Sequence, residues 1–203
     1  MPKRPTPRAD HLRLALAQEA ARIMAEHGIS DFRLAKRKAA DRFGVTDGAA
    51  LPKNVEIEAA LEQYQRLFDG DGHAESLRAQ RGAALEAMRW LREFEPRLVG
   101  AVLTGTATRH AQVQLHLFTD TAESVTLKML EMGLAHEVTE KRVRMDSARV
   151  LVFPGVRFEI EAQPIDATVF PADGIRQSPV SPVDGRPMRR ASALEVEALL
   201  AAS

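Results

Sequence analysis

The hydrophobic period of this chain changes near Pro96, and that change constrains the fold more than any other feature. Before Pro96, apolar residues recur at the three- and four-residue spacing of amphipathic helices. After it, the segment QVQLHLF at 112–118 alternates polar and apolar residues, which is typical of a strand with one buried face. A helix is predicted at about 121–132, and further strands at roughly 142–153, 155–162 and 164–170. This order predicts an α+β fold, in which a helical domain precedes a sheet with flanking helices.

The same change of period divides the 203 residues into four predicted regions. We expect a disordered leader at 1–8, a helical domain at 9–95, an α+β domain at 96–175, and an extended strap with a C-terminal helix at 176–203. Two tight turns are also predicted, because glycine and proline favour turns: DGDGH at 69–73 and FPG at 153–155.

The composition argues against several classes of function. The chain has no cysteine, so it forms no disulfide and has no thiol nucleophile or thiolate-bound zinc. Its 28 basic residues balance 28 acidic ones, whereas nonspecific nucleic-acid-binding proteins are usually more basic. No apolar run is long enough for a membrane span, and the basic N-terminus lacks the apolar stretch of a signal peptide. We therefore expect a cytoplasmic protein with no membrane partner.

The segment LVGAVLTGTATRHAQVQLHLFTD at 98–120 holds the polar residues with the clearest pattern. Glycines punctuate its first half, and alternation places the polar residues of its second half on one face of a strand. In PIDATVF at 164–170, Asp166 interrupts an apolar strand, where a carboxylate needs a partner or a solvent-facing side.

These two segments resemble the signature of the nucleotidyltransferase superfamily, the fold of DNA polymerase beta and its small bacterial relatives. In that family an apolar strand leads into a Gly-Ser turn, and the next strand carries two Asp residues separated by one apolar residue. A later strand supplies a third carboxylate. The resemblance covers roughly residues 95–170 and matches Gly100-Ala101 to the Gly-Ser pair, Gln112-Val113-Gln114 to the two Asp positions, and Asp166 to the third carboxylate.

The matched positions differ from the family pattern at two of the three carboxylates. Those carboxylates hold the metal ions that nucleotidyl transfer requires, and magnesium prefers anionic oxygen ligands. Each lost charge is worth on the order of 4 kcal/mol at short range and an effective dielectric near 20. The resemblance therefore implies a degenerate domain that binds a nucleotide or phosphate ligand, with Asp166 as the remaining catalytic candidate. The ligand-binding candidates that it implies are Gly100, Gly105, Thr106, Gln112, Gln114 and His116. We expect no metal site and no cofactor, with magnesium relevant only to residual activity.

Simpler interpretations of the same residues stay open. The two glutamines and His116 also fit the solvated face of an edge strand, and Asp166 also fits an ion pair with Arg157 or Arg149. The proline-limited strap either packs against the domain or brings arginines to a phosphate ligand. Its candidate phosphate contacts are Arg186, Arg189 and Arg190.

A basic helix in the first 48 residues supports an alternative function. This part holds ten Lys or Arg against six acidic residues, and the segment at 18–45 is loosely similar to the helix-turn-helix of tetracycline-repressor-type regulators. The candidate DNA contacts are Lys36, Arg37 and Lys38, and the simpler interpretation is a solvated cationic face. A protein-interaction module without a ligand is a third possibility.

Overall fold

The protein has an α+β fold that forms two compact units. We describe it from a computed structural model, in which residues 7–68 and 70–202 are described. The first unit comprises the described residues up to His73 together with Thr108–His110 and Pro182–Asp184. The second unit comprises Ala74–Ala107, Ala111–Ser181 and the chain from Gly185 onward. Within the described residues, no helix combines the length and apolar character needed to cross a membrane.

The first unit is built from three helices, α1 (Pro7–His27), α2 (Phe32–Phe43) and α3 (Asn54–Phe68). Asp31 caps the start of α2, since its side chain accepts a hydrogen bond of 2.8 Å from the backbone N–H of Arg33. Gly44 ends α2 with a left-handed backbone, at φ 65°. The three helices enclose a core of small and branched residues that includes Leu16, Ala20, Ala35, Ala39, Ile57 and Leu61.

The second unit is a five-stranded sheet with helices packed on one face. Its elements are α4 (Gly70–Trp90), β1 (Arg97–Val99), α5 (Gly100–Thr104), β2 (Val113–Phe118), α6 (Ala122–Glu131), β3 (His136–Arg144), β4 (Val150–Ile160), β5 (Gln163–Phe170) and α7 (Ala193–Ala201). The strand order is β1-β2-β5-β4-β3. Strands β2 and β5 are parallel, and the other neighbouring pairs are antiparallel, so the sheet is mixed.

Alternation along the strands gives this sheet one apolar face and one largely polar face. The apolar face carries Val113, Leu115 and Leu117 of β2, and every one of them is fully buried. Residues of α4, α5, α6 and α7 join the same core cluster and cover that face. On the opposite face a small aromatic cluster forms at one end, from Phe118, Phe153 and Phe170. The same face carries the polar residues Gln114, Lys141, Arg157 and Asp166.

Most of α4, which the predicted helical domain at 9–95 includes, belongs to the second compact unit. Ala83 and Met88 of α4, and Leu91 directly after it, are buried in the core that contains the sheet. The apolar stripe of this helix predicts that it packs, but not against which partner. At the N-terminus, α1 already includes positions 7 and 8, which were expected to belong to the leader; residues 1–6 lie outside the described part.

Both predicted turns lie within regular elements instead. The helix α4 begins at Gly70 and also includes Gly72, although a glycine inside a helix costs about 1 kcal/mol. Residue 69 lies outside the described part. Phe153, Pro154 and Gly155 lie inside β4 and pair with β3. Proline is tolerated there because the pairing of β4 with β5 begins only at Gly155, so Pro154 lacks a neighbour on that side.

Candidate functional site

Gln114 and Asp166 lie side by side on the polar face of the sheet. The parallel register of β2 and β5 pairs these two residues directly, and it pairs their apolar neighbours Leu115 and Ala167 on the opposite face. Gln114 is exposed, whereas the Asp166 side chain is only 14% exposed. The two segments that carry the family resemblance therefore meet at this pair.

Gly100 lies directly against the side-chain amide of Gln114. It follows β1, opens α5 and has a left-handed backbone, with φ 72°. A Cβ atom at Gly100 would collide with Gln114 Oε1, so the glycine is needed both for its backbone conformation and for this close approach. Three of the predicted residues, Gly100, Gln114 and Asp166, thus form one contiguous patch.

The negative charge of Asp166 is balanced by basic side chains from β3 and β4. Lys141 Nζ of β3 lies 2.5 Å from Asp166 Oδ1, in an ion pair that lacks the directionality of a hydrogen bond. Arg157 Nε of β4 lies 3.9 Å from the same oxygen, and its Nη1 donates to Glu137 at 3.0 Å. The predicted partnership with Arg157 is confirmed at this longer distance, whereas Arg149 pairs with Asp146.

Gly155 opens the path by which Lys141 reaches Asp166. It lies on β4, between Thr139 of β3 and Thr168 of β5. A Cβ atom at Gly155 would lie 3.0 Å from Lys141 Cε and 2.8 Å from Thr139 Oγ1. Because this space is free, the lysine stem crosses β4 and places its ammonium group on the next strand.

His116 lies on the same face but is buried beneath Arg190. Arg190 Nε donates to His116 Nδ1 at 3.1 Å, and the Arg190 guanidinium lies 4.8 Å from the Phe118 ring centroid. Its Nη1 donates to the backbone carbonyls of Gly174 and Ile175. Arg190 therefore fastens the strap to the sheet, as the packing interpretation of the strap expects.

Burial and neighbouring cations keep His116 neutral. Desolvation, followed by the charge of Arg190, lowers the pKa of His116 to about 3. Desolvation, followed by the charge of Arg97, lowers the pKa of Arg190 to about 10. Arg97 pairs directly with His116 across β1 and β2. The neutral imidazole thus serves as a hydrogen-bond acceptor for an arginine in this structure.

The other candidate residues lie outside the patch formed by Gly100, Gln114 and Asp166. Gln112 is exposed and immediately precedes β2, so it is next to the patch along the chain. Gly105 ends α5, and a Cβ atom there would lie 3.7 Å from Arg81 Nη2 and 3.9 Å from Leu77 Cδ2 of α4. Thr106 is buried, and its hydroxyl lies 3.0 Å from that of Thr104. Arg186 and Arg189 are exposed strap residues.

The patch does not fit a divalent metal ion. Of its two polar groups, Gln114 is neutral and Asp166 is already paired with an ammonium group. Within the described residues, no group of three or more His, Cys, Asp or Glu side chains is arranged to hold a metal ion. The arrangement instead offers an amide with both donor and acceptor capacity, beside a carboxylate with balanced charge.

Lys141 and Gly155 belong to this site, and the sequence analysis missed both. Lys141 lies on the same face of β3 as Thr139 and Val143, but nothing local to that strand identifies its partner on β5. Gly155 was hidden because the FPG tripeptide is typical of a turn. An isolated glycine inside a strand is a known sign of a close approach by another group, and this was the available signal.

Comparison of this chain with protein-family models, with curated proteins and with the solved structures gives no match.

Replacing Gly100 with alanine should displace the Gln114 side chain at a modest cost in stability. The left-handed backbone costs a non-glycine residue roughly 1–2 kcal/mol, and the exposed Gln114 amide is free to rotate away from the new methyl group. The matched control is Gly133→Ala, because Gly133 has φ 66° and a Cβ atom there would meet nothing within 4 Å. Urea unfolding should give similar losses for both variants, while only Gly100→Ala should shift the side-chain amide resonances of Gln114. Unchanged resonances in Gly100→Ala would contradict the close approach.

Acid should destabilise the protein through His116. The folded-state pKa of His116 lies below its unfolded value of 6.5, so its contribution is complete above pH 6.5 and is lost as the pH falls towards 3. Between pH 7 and pH 5 this group alone should remove about 2 kcal/mol from the free energy of unfolding. The variant His116→Gln keeps an acceptor for Arg190 but does not titrate. Urea unfolding at both pH values should show a smaller loss in the variant, and equal losses would exclude His116 as the cause.

Proposed function

We propose that the second unit is a nucleotidyltransferase-like domain that binds a nucleotide or phosphate ligand and lacks metal-dependent catalysis. The observation that carries the proposal is the direct pairing of Gln114 with Asp166, with Gly100 against the Gln114 amide. The resemblance links these three positions although they are up to 66 residues apart in the sequence. A cytoplasmic location, as expected from the sequence, belongs to the same proposal.

The loss of catalysis follows from the charges at the patch. Magnesium-dependent transfer needs anionic oxygens that hold the metal beside the phosphates. Here two of those positions are glutamines, and Lys141 neutralises the remaining carboxylate. Ligand binding requires less, because an exposed amide can donate to and accept from a base or a hydroxyl group.

A panel of nucleotides and inorganic phosphate, with and without magnesium, tests the proposal by isothermal titration calorimetry. We expect binding of at least one compound, independent of magnesium. Gln114→Ala should weaken it roughly tenfold, the effect of one or two lost hydrogen bonds. The control is Gln177→Ala, which removes an exposed glutamine of the same unit outside the sheet. The absence of any binding by the folded protein would refute this function.

DNA binding through α2 is the second candidate function. The side chains of Arg33, Arg37 and Lys38 are exposed on α2, whereas Lys36 is half-buried and burial lowers its pKa. The groove beside this helix also contains Asp31, Asp41 and Asp47, which oppose a phosphate backbone. The exposed arginines and lysine favour this function, and the mixed charge of the groove makes it secondary.

Fluorescence anisotropy with a DNA duplex over a range of salt concentrations tests this second function. If α2 contacts phosphates, neutralising Arg37 and Lys38 to glutamine should reduce the slope of log affinity against log salt by about 2, because each contact contributes nearly one unit. The matched control neutralises Lys53 and Arg66, two exposed basic residues at α3. An equal reduction in the control would point to unspecific attraction and against α2.

A further inference from the structure

The ammonium group of Lys141 is enclosed at the point where the resemblance places a metal-binding carboxylate. Its side chain is 18% exposed and its partner Asp166 is 14% exposed, so the pair is largely shielded from solvent. Arg157 lies on the other side of the same carboxylate oxygen, at 3.9 Å. Two cationic groups thus face one carboxylate, and Glu137 balances the second of them from the exposed side.

The placement of Lys141 depends on the backbone of β4. Lys141 is paired with Phe153, two residues from the Thr139–Gly155 pair, and its stem crosses diagonally over Gly155. Any larger residue at position 155 would occupy the space of the Lys141 Cε atom and the Thr139 hydroxyl. The absence of a side chain at Gly155 therefore allows Lys141 of β3 to place its positive charge next to Asp166 of β5.

A divalent cation that approached Asp166 would be repelled by the positive charge of Lys141. Like charges repel most strongly where solvent is excluded. The Asp166 carboxylate is already in an ion pair with Lys141, so its negative charge attracts a metal ion less strongly. Gln114, the neighbour of Asp166 on β2, contributes no charge that would favour a metal over the ammonium group. The site is therefore unsuited to a metal ion for an electrostatic reason, and the charge of Lys141 is its source.

We propose that Lys141 is the resident cation of this site, and that it excludes divalent metals so that the ligand is bound without one. The proposal rests on the proposed function for its ligand, which is a phosphate ester or nucleotide that does not arrive as a magnesium complex. The exclusion of metal ions by Lys141 depends only on residues of this chain, so it can be measured without any nucleotide.

The experiment measures binding of Mn²⁺ alone by electron paramagnetic resonance. The wild type and Gln114→Asp, which both retain Lys141, should bind it weakly. The double variant Gln114→Asp/Lys141→Met creates two neighbouring carboxylates without the ammonium group, and it should bind Mn²⁺ roughly tenfold more tightly or better. The matched control is Gln114→Asp/Lys128→Met, because Lys128 forms a half-exposed ion pair with Glu93 elsewhere in the same unit. It should behave like Gln114→Asp.

A second double variant guards against a folding defect. Gln114→Asp/Lys141→Gln keeps a hydrogen-bonding group next to Asp166 and should gain Mn²⁺ affinity in the same way. Circular dichroism establishes that each variant is folded before the measurement. Equal Mn²⁺ affinity in the wild type and the Lys141 variants would overturn the proposal, as would equal affinity in the Lys141 and Lys128 double variants. Because no nucleotide is present, failure of nucleotide binding in the wild type leaves this result intact.

Discussion

The parallel pairing of β2 with β5 is the constraint on which the rest of the second unit depends. Parallel neighbours cannot be joined by a tight turn, so the chain inserts α6 and the β3–β4 hairpin between them. The pairing stacks the buried apolar residues of both strands under the helices. It also brings Gln114 and Asp166 together on the opposite face, although 51 residues separate them in the chain. The same strand register therefore determines both the apolar core on one face and the candidate site on the other.

Local patterns predicted the elements of this fold better than their partners. The alternation at 112–118 was sufficient for β2, because burial of one face is a local requirement. The partner of α4 was not predictable in this way, since an apolar stripe fits either a helix or a sheet. The FPG tripeptide misled for a related reason. Whether it can lie in a strand depends on where the pairing of β4 with β5 starts along β4, and the local sequence does not specify this.

The candidate site divides along the same line. Gly100, Gln114 and Asp166 were selected through the resemblance to the nucleotidyltransferase pattern, and these three residues lie next to one another in the structure. Lys141 and Arg190 were not assigned these contacts, because each acts across strands or segments that only the register brings close. Their effects are electrostatic. One neutralises a carboxylate, and the other holds a histidine in its neutral form. The two glutamines therefore describe the site only in part.

The two edges of the sheet are protected in different ways, with a consequence for behaviour at high concentration. At β1, the strap exchanges two backbone hydrogen bonds between Ala191 and Leu98, so little of this short strand is free to pair. At the other edge, β3 spans nine residues and carries Glu137, Glu140, Arg142 and Arg144 as exposed charges. Charged edge strands resist edge-to-edge association with other molecules. The strap and these charges thus act as safeguards against aggregation, and their role is independent of any ligand.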